Sequence, residues 1–97
     1  MSTVIAFSFL AGVALPPREF DHAPTMPVSE YVVPIARMAD VCGANRFACS
    51  IPLPGKCIVV VPQVEAGIIS EPQQQRLRRH EYGHCNGWGR DHDGARP

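Results

Sequence analysis

Two histidines and a glutamate near the carboxyl end of the sequence have the types and the spacing that metal-assisted hydrolysis requires. In HEYGH, residues 80–84, His80 and His84 are four residues apart and Glu81 follows the first of them. Residues four apart on a helix project about 40° from each other, one turn apart, so both imidazoles can reach one ion. Neutral imidazoles are suitable ligands for first-row metals, and zinc is the commonest hydrolytic choice.

Glu81 is placed to act as a general base beside such an ion. At about 100° from His80 around the helix axis, its carboxylate can flank the metal without binding it. From there it can take a proton from a metal-bound water, whose pKa the ion lowers to near neutrality. The pattern therefore predicts hydrolysis. The alternative is that the two histidines only interact with the carbonyls and the dipole at a helix end.

The helix that this spacing requires is predicted independently by its ends. Ser70 and Gln73 form a capping-box pattern, Pro72 occupies the first turn, and Gly87 offers a left-handed stop. These signals predict a helix over residues 71–86. Its apolar residues are few, so packing of an apolar stripe is not the whole reason that the helix docks.

Two further elements are predicted upstream of this helix. Residues 35–42 have apolar side chains at helical spacing between a proline and a glycine, which predicts a short helix. A Pro-Gly turn at 54 and 55, followed by the β-branched run CIVVVP, predicts a hairpin whose second strand covers about residues 57–61 and is buried on both faces. We therefore predict an α+β domain over residues 34–97, with a short sheet or hairpin packed on the C-terminal helix.

Residues 1–33 are predicted to lie outside that domain. STVIAFSFLAGVAL is apolar enough for the hydrophobic region of a signal peptide but too short for a stable membrane span, and it can instead be a buried strand. Residues 15–34 contain five prolines and are predicted to form an extended arm or an irregular loop over the domain surface. We expect an exported or periplasmic protein, with a cytoplasmic location as the alternative.

Composition limits the size of the fold and the kind of partner. A chain of 97 residues makes one domain with a modest core. Nine Lys and Arg balance nine Asp and Glu, which does not suggest binding to nucleic acid or to an anionic membrane. Four cysteines fit either two disulfides, with three pairings open, or four buried thiols: Cys42, Cys49, Cys57 and Cys85.

The stretch HEYGHCNGWGRDH, residues 80–92, resembles the zincin metallopeptidases. More narrowly, it is similar to small metallopeptidase-like proteins of bacteria and phages that carry the signature HExGHxxGWxxDH. The resemblance implies a minimal zincin-like domain with a sheet above the active-site helix and an edge strand that aligns the substrate. CIVVVP is the candidate for a strand near the site.

The same resemblance implies roles for individual residues. His80 and His84 would bind Zn²⁺, Glu81 would be the general base, and Gly83 would match the glycine between the ligands. Because glycine in a helix interior costs about 1 kcal/mol relative to alanine, we expect another part of the backbone to approach closely at Gly83.

The third ligand is expected after the helix. The longer metzincin pattern would place a histidine at position 90, where this chain has Arg90. The signature of the small proteins ends in a histidine, which implies His92 as the third ligand and Asp91 as its orienting partner. Asp91 as a carboxylate ligand is the alternative, and Asp93 is the next candidate. Trp88 is expected to pack across the turn that follows the helix, and the alternative is that it lines a substrate pocket.

The predicted function is that of a zinc-dependent metallopeptidase acting on a peptide or protein substrate. The alternative is a noncatalytic, zinc-stabilised accessory or interaction protein of phage or bacterial secretion origin. In that case we expect four protein ligands, including both Asp91 and His92, with no open position on the metal.

Overall fold

The computed structural model describes residues 13–97, which form a three-stranded sheet and two α-helices. Most of the predicted signal-peptide region lies outside the described residues. The elements in chain order are β1 (Val28–Val33), α1 (Met38–Cys42), β2 (Cys49–Leu53), β3 (Lys56–Pro62) and α2 (Glu71–Cys85). Short 3₁₀ turns at Arg18–Phe20 and Ile35–Arg37 precede β1 and α1. The predicted α+β class is confirmed.

The sheet has the strand order β1-β3-β2, so the apolar run CIVVVP forms its central strand. β1 runs parallel to β3, and β2 pairs with β3 in the antiparallel hairpin that the Pro-Gly turn predicted. Val59, Val60 and Val61 are all buried, as expected of a strand covered on both faces. Because β3 has a neighbour on each side, it cannot serve as an edge strand, and the free edges belong to β1 and β2.

The end of the proline-rich segment differs from the predicted surface arm. Val28–Val33 forms β1 and pairs with β3 from Val28 opposite Cys57 to Val33 opposite Pro62. The prolines flank this strand and do not interrupt it, and the backbone N–H of Cys57 donates to the carbonyl of Pro27. The β-branched residues between the prolines therefore find a ladder partner, which composition alone did not indicate.

Helix α2 begins and ends at the predicted signals. The backbone N–H of Ser70 donates to Oε1 of Gln73 at 2.7 Å, and the N–H of Gln73 donates to Oγ of Ser70 at 3.3 Å, which completes the capping box. The helix packs on the sheet around one apolar cluster, whose buried members are Ala48, Cys57, Val59, Val61, Ile69, Leu77 and Cys85. This cluster is the core of the domain.

Two disulfides and an ion pair add to this limited apolar contact. Cys57–Cys85 joins β3 to the last residue of α2, and Cys42–Cys49 joins α1 to the first residue of β2. On the other side of the helix, Arg78 and Tyr82 donate to the carboxylate of Glu30 on β1. Covalent and polar contacts thus complement the few apolar residues that α2 contributes. Among residues 13–97, neither helix combines the length and apolar character needed to cross a membrane.

Candidate metal centre

Three histidine side chains converge at the C-terminal end of α2. The Nε2 atoms lie 3.3 Å apart for His80 and His84, 3.2 Å for His84 and His92, and 3.2 Å for His80 and His92. Three nitrogens bound to a tetrahedral zinc at about 2.0–2.1 Å are about 3.3–3.4 Å from one another. The triangle therefore has the dimensions of a metal site, and the three residues lie close enough to hold an ion.

The other ring nitrogens of the two helical histidines face backbone carbonyls. Nδ1 of His80 lies 2.7 Å from the oxygen of Ala14, and Nδ1 of His84 lies 2.8 Å from the oxygen of Trp88. A carbonyl only accepts hydrogen bonds, so each Nδ1 carries the proton and each Nε2 presents a lone pair. Burial lowers the pKa of both imidazoles, which favours this neutral form. Lone pairs pointed at one another repel unless a cation lies between them.

The turn that ends α2 places Trp88 in contact with the rings of the three histidines. Gly87, at φ 106°, adopts the left-handed conformation expected of a helix stop. The N–H of Gly87 donates to the carbonyl of His84 at 3.1 Å, and the N–H of Trp88 donates to that of Gly83 at 3.0 Å. This pair of hydrogen bonds is a Schellman motif. It brings the carbonyl of Trp88 back to Nδ1 of His84.

A second turn returns His92 to the helix. The N–H of His92 donates to the carbonyl of Gly89 at 3.0 Å, and the φ of His92 is 59°, in the left-handed region. That conformation costs a residue with a side chain about 1 kcal/mol or more. Strain of this kind is concentrated at functional sites, where the surrounding structure holds the residue in place.

Trp88 packs across this turn, as predicted. Its indole stacks on the His84 ring with centroids 4.7 Å apart and meets the rings of His80 and His92 edge-on at 5.0 Å. Its Nε1 donates to the carbonyl of Asp93 at 2.9 Å, so the one polar atom of the buried ring has a partner. The indole therefore fixes the orientation of all three imidazoles.

Residues 14–16, at the start of the proline-rich region, support the same site. Ala14 accepts from His80, and Leu15 pairs with Arg96 in an isolated antiparallel bridge. A Cβ atom built on Gly83 would lie 2.5 Å from Cγ of Pro16 and 2.7 Å from its Cβ. The close approach expected at Gly83 is therefore real, but a proline ring makes it and not a backbone. No sequence motif pointed to Ala14 or Pro16 as neighbours of the histidines.

Glu81 is buried next to the ligands and hydrogen-bonded to Ser50 of β2. Burial raises the pKa of its carboxyl group, whereas the Ser50 hydrogen bond and the positive charge of Arg46 oppose that shift. Ser50 was not a candidate from the sequence, because only the pairing of β2 with β3 brings it across from α2.

Asp91, considered as an alternative ligand or an orienting partner, lies outside the histidine cluster. Its Oδ1 accepts a hydrogen bond from the N–H of Asp93 at 3.2 Å. Backbone carbonyls of Ala14 and Trp88 orient His80 and His84. Asp93 contributes its carbonyl to Trp88.

A cavity of about 410 Å³ opens between α2, the hairpin and the loop before β2. Its wall includes the three histidines and Glu81. Other residues that line it are Arg46, Ser50, Trp88 and Arg90. Ser50 and Pro52 bring the β2 side of the sheet to this cavity. The strand beside the site is therefore β2, not the CIVVVP strand β3.

Comparisons of the chain with protein-family models, curated protein sequences and solved structures found no match. The functional assignment consequently rests on the geometry of the site.

Proposed function

We propose that this protein is a zinc-dependent metallopeptidase whose metal is held by His80, His84 and His92. The motif HEYGH and its resemblance to zincins support the proposal, together with the triangle of Nε2 atoms. Zinc with three histidine ligands keeps a position for a water molecule, lowers the pKa of that water toward neutrality and polarises a carbonyl.

Glu81 acts as the general base in this proposal. Its carboxylate lies close to Ser50 and borders the same cavity as the ligands. It accepts the proton of the attacking water and delivers it to the amine that leaves when the peptide bond breaks. Trp88 and the carbonyls behind the imidazoles hold the ligands in place during this transfer.

The observation that carries the proposal is the position of Glu81. A structural metal site needs ligands only, whereas this site places a buried carboxylate, 7% exposed, beside the ligands in the wall of a cavity. Burying such a group costs free energy that a purely structural site does not need to spend. A base adjacent to the metal is what metal-assisted hydrolysis requires.

The noncatalytic alternative differs in its ligand number. A structural zinc site has four protein ligands, whereas three protein ligands are typical of catalytic sites. The cluster of possible ligands within residues 13–97 comprises three histidines. This number favours the peptidase over a zinc-stabilised accessory protein.

Two features support export as the setting for this activity. Cys42–Cys49 and Cys57–Cys85 are disulfides of the kind that small proteins use in oxidising compartments. The apolar N-terminal stretch supports the same location, outside the cytoplasm.

Metal content and hydrolysis, measured on the same preparations, test the proposal. We expect the wild type to bind one zinc per chain and to cleave members of a quenched fluorescent peptide library. Glu81→Gln should keep its zinc and lose activity by about 10²-fold or more, because the proton acceptor is gone. His80→Ala and His92→Ala should both lose zinc.

Asp91→Asn is the matched control, since it changes a carboxylate next to His92 that lies outside the cluster. We expect it to retain zinc. Undiminished hydrolysis by Glu81→Gln would reject the mechanism, and loss of zinc from Asp91→Asn would return that residue to the ligand set. Zinc binding without cleavage of any library member would favour the noncatalytic alternative.

A further inference from the structure

Two arginines that line the cavity form no ion pair among residues 13–97. Arg46, in the loop before β2, and Arg90, in the turn after α2, both line the cavity and are exposed. The ion pairs of the described residues involve other arginines, namely Arg37, Arg78, Arg79 and Arg96. Unpaired guanidinium groups beside a cavity are available to bind a ligand carboxylate in bidentate geometry.

The charge balance of the cavity is positive. Glu81 is its single acidic lining residue, and that carboxylate is already hydrogen-bonded to Ser50. A bound divalent metal would add further positive charge. Clefts lined by one sign of charge concentrate ligands of the opposite sign.

Short closed segments fix both arginines relative to the metal ligands. Arg46 lies in the loop that the Cys42–Cys49 disulfide closes. Arg90 lies inside the turn closed by the hydrogen bond from the N–H of His92 to the carbonyl of Gly89. The two cations therefore flank the histidine cluster from different elements, and neither is on a long free tail.

We propose that Arg46 and Arg90 select substrates that carry a carboxylate close to the bond that is cleaved. This inference rests on the proposed peptidase function and names its substrate class. The carboxylate can belong to an acidic side chain or to a free carboxyl terminus, since both present the same two oxygens to a guanidinium. The cavity, at about 410 Å³, falls in the usual size range of ligand pockets.

Peptide binding to the zinc-loaded Glu81→Gln protein tests the inference without requiring turnover. Fluorescence of Trp88, the single tryptophan of the chain, reports occupation of the cavity wall. The probes are peptides of equal length that differ in one residue, Glu or Gln, each made with a free and an amidated carboxyl terminus. We expect a peptide that carries the recognised carboxylate to bind about threefold to tenfold more tightly at low salt than the matched peptide that lacks it.

The preference should disappear when the two rim charges are removed. The double variant Arg46→Gln/Arg90→Gln should bind all four peptides with equal affinity. Arg37→Gln, which removes one exposed charge away from the cavity, should leave the preference intact. Raising the salt from about 0.05 M to about 0.5 M should reduce it, because exposed charges are screened. If affinity falls when Glu in the peptide is replaced by Gln, the arginines bind an acidic side chain. If affinity falls when the peptide is amidated, they bind the free carboxyl terminus.

Equal binding of all four peptides to the parent protein would overturn the inference, and so would a preference that survives in the double variant. Failure of the peptidase proposal has a different signature. It would appear as charge-selective peptide binding by a metal-loaded wild type that cleaves none of the peptides it binds.

Discussion

At the scale of single residues, the site depends on how tightly its neighbours pack. Gly83 lies on α2 between His80 and His84 and faces Pro16, which is fully buried. Its missing side chain leaves just enough room for the proline ring and the edge of Trp88. Helix propensity favours alanine over glycine by about 1 kcal/mol, so close packing and not propensity accounts for the glycine at this position.

We expect Gly83→Ala to destabilise the protein despite this propensity. The new methyl group would lie 2.5 Å from Pro16 and 3.2 Å from Trp88, and overpacking of this kind costs about 1–3 kcal/mol. Because Trp88 orients the imidazoles, zinc affinity should fall as well. Urea unfolding and zinc titration measure the two effects.

A double-substitution cycle with Pro16→Gly separates the clash from other causes. Removing the ring should reduce the cost of Gly83→Ala, since the two residues are in contact. A cost that is the same in both backgrounds would show that Pro16 is not the reason for the glycine.

At the scale of elements, the seating of α2 on the sheet depends on a covalent bond as much as on apolar contact. Cys85 is the last residue of the helix, directly after His84, and its partner Cys57 is wholly buried on β3. The disulfide therefore fixes the end of the helix that carries the histidines. Cys42–Cys49, by contrast, fixes a loop in the wall of the cavity.

Replacing Cys57 and Cys85 by alanine should lower the free energy of unfolding by about 3–4 kcal/mol, from the entropy of the 28-residue loop that the bond closes. The end of α2 should also lose its fixed position, which lowers zinc affinity. The comparison is replacement of Cys42 and Cys49, whose separation of 7 predicts a loss of about 2–3 kcal/mol and unchanged zinc affinity. Zinc titration of both variants measures the two affinities. An equal loss of zinc affinity in the two would refute the specific role of Cys57–Cys85 in holding the end of α2.

At the scale of the whole molecule, the two ends of the described chain close over one face of α2. Leu15 and Arg96 exchange backbone hydrogen bonds of 2.8 and 2.9 Å. Asp21 receives hydrogen bonds from Arg79 of the helix and from Arg96 near the carboxyl end. Since Ala14 also orients His80, this contact between the chain ends supports the metal centre.

Asp21 makes this contact dependent on pH. Hydrogen bonds from Arg79, and further from Arg96, hold the pKa of Asp21 below its ordinary value of 3.8, against an opposing effect of burial. A group whose pKa is lower in the folded state stabilises the fold fully above its unfolded pKa. That stabilisation is lost as the pH falls below 3.8 and through the folded-state pKa.

We expect Asp21→Asn to reduce the free energy of unfolding by about 1 kcal/mol near neutral pH, and the difference from the wild type to vanish in strong acid. Metal-free protein is used, so that zinc release does not contribute. Asp40→Asn, which removes an ion pair whose side chains are 67% and 75% exposed, should have little effect at any pH. A difference in the free energy of unfolding between Asp21→Asn and wild type that stays constant from neutral pH to strong acid would contradict the prediction.

Local chemistry explains which parts of the fold could be predicted. The bounds of α2, the hairpin turn and the strand CIVVVP follow from capping residues, a Pro-Gly pair and a β-branched run, all of which act within a few positions of the chain. Strand β1 could not be predicted, because the prolines on either side of it indicate irregular structure and its partner β3 lies about thirty residues away. The disulfide pairing was open for the same reason, since it depends on which elements meet.

By itself, the sequence determined the spacing of His80, Glu81 and His84, because 3.6 residues per helical turn place the two imidazoles on one face. Only the tertiary structure decided that His92 returns to them, through a Schellman motif and a left-handed residue. It also decided that carbonyls of Ala14 and Trp88 face the Nδ1 atoms of the two helical histidines, and that Ser50 of β2 lies close to Glu81. The physical reason is that hydrogen-bond partners across a fold depend on how its elements pack, which a local pattern of residues does not encode.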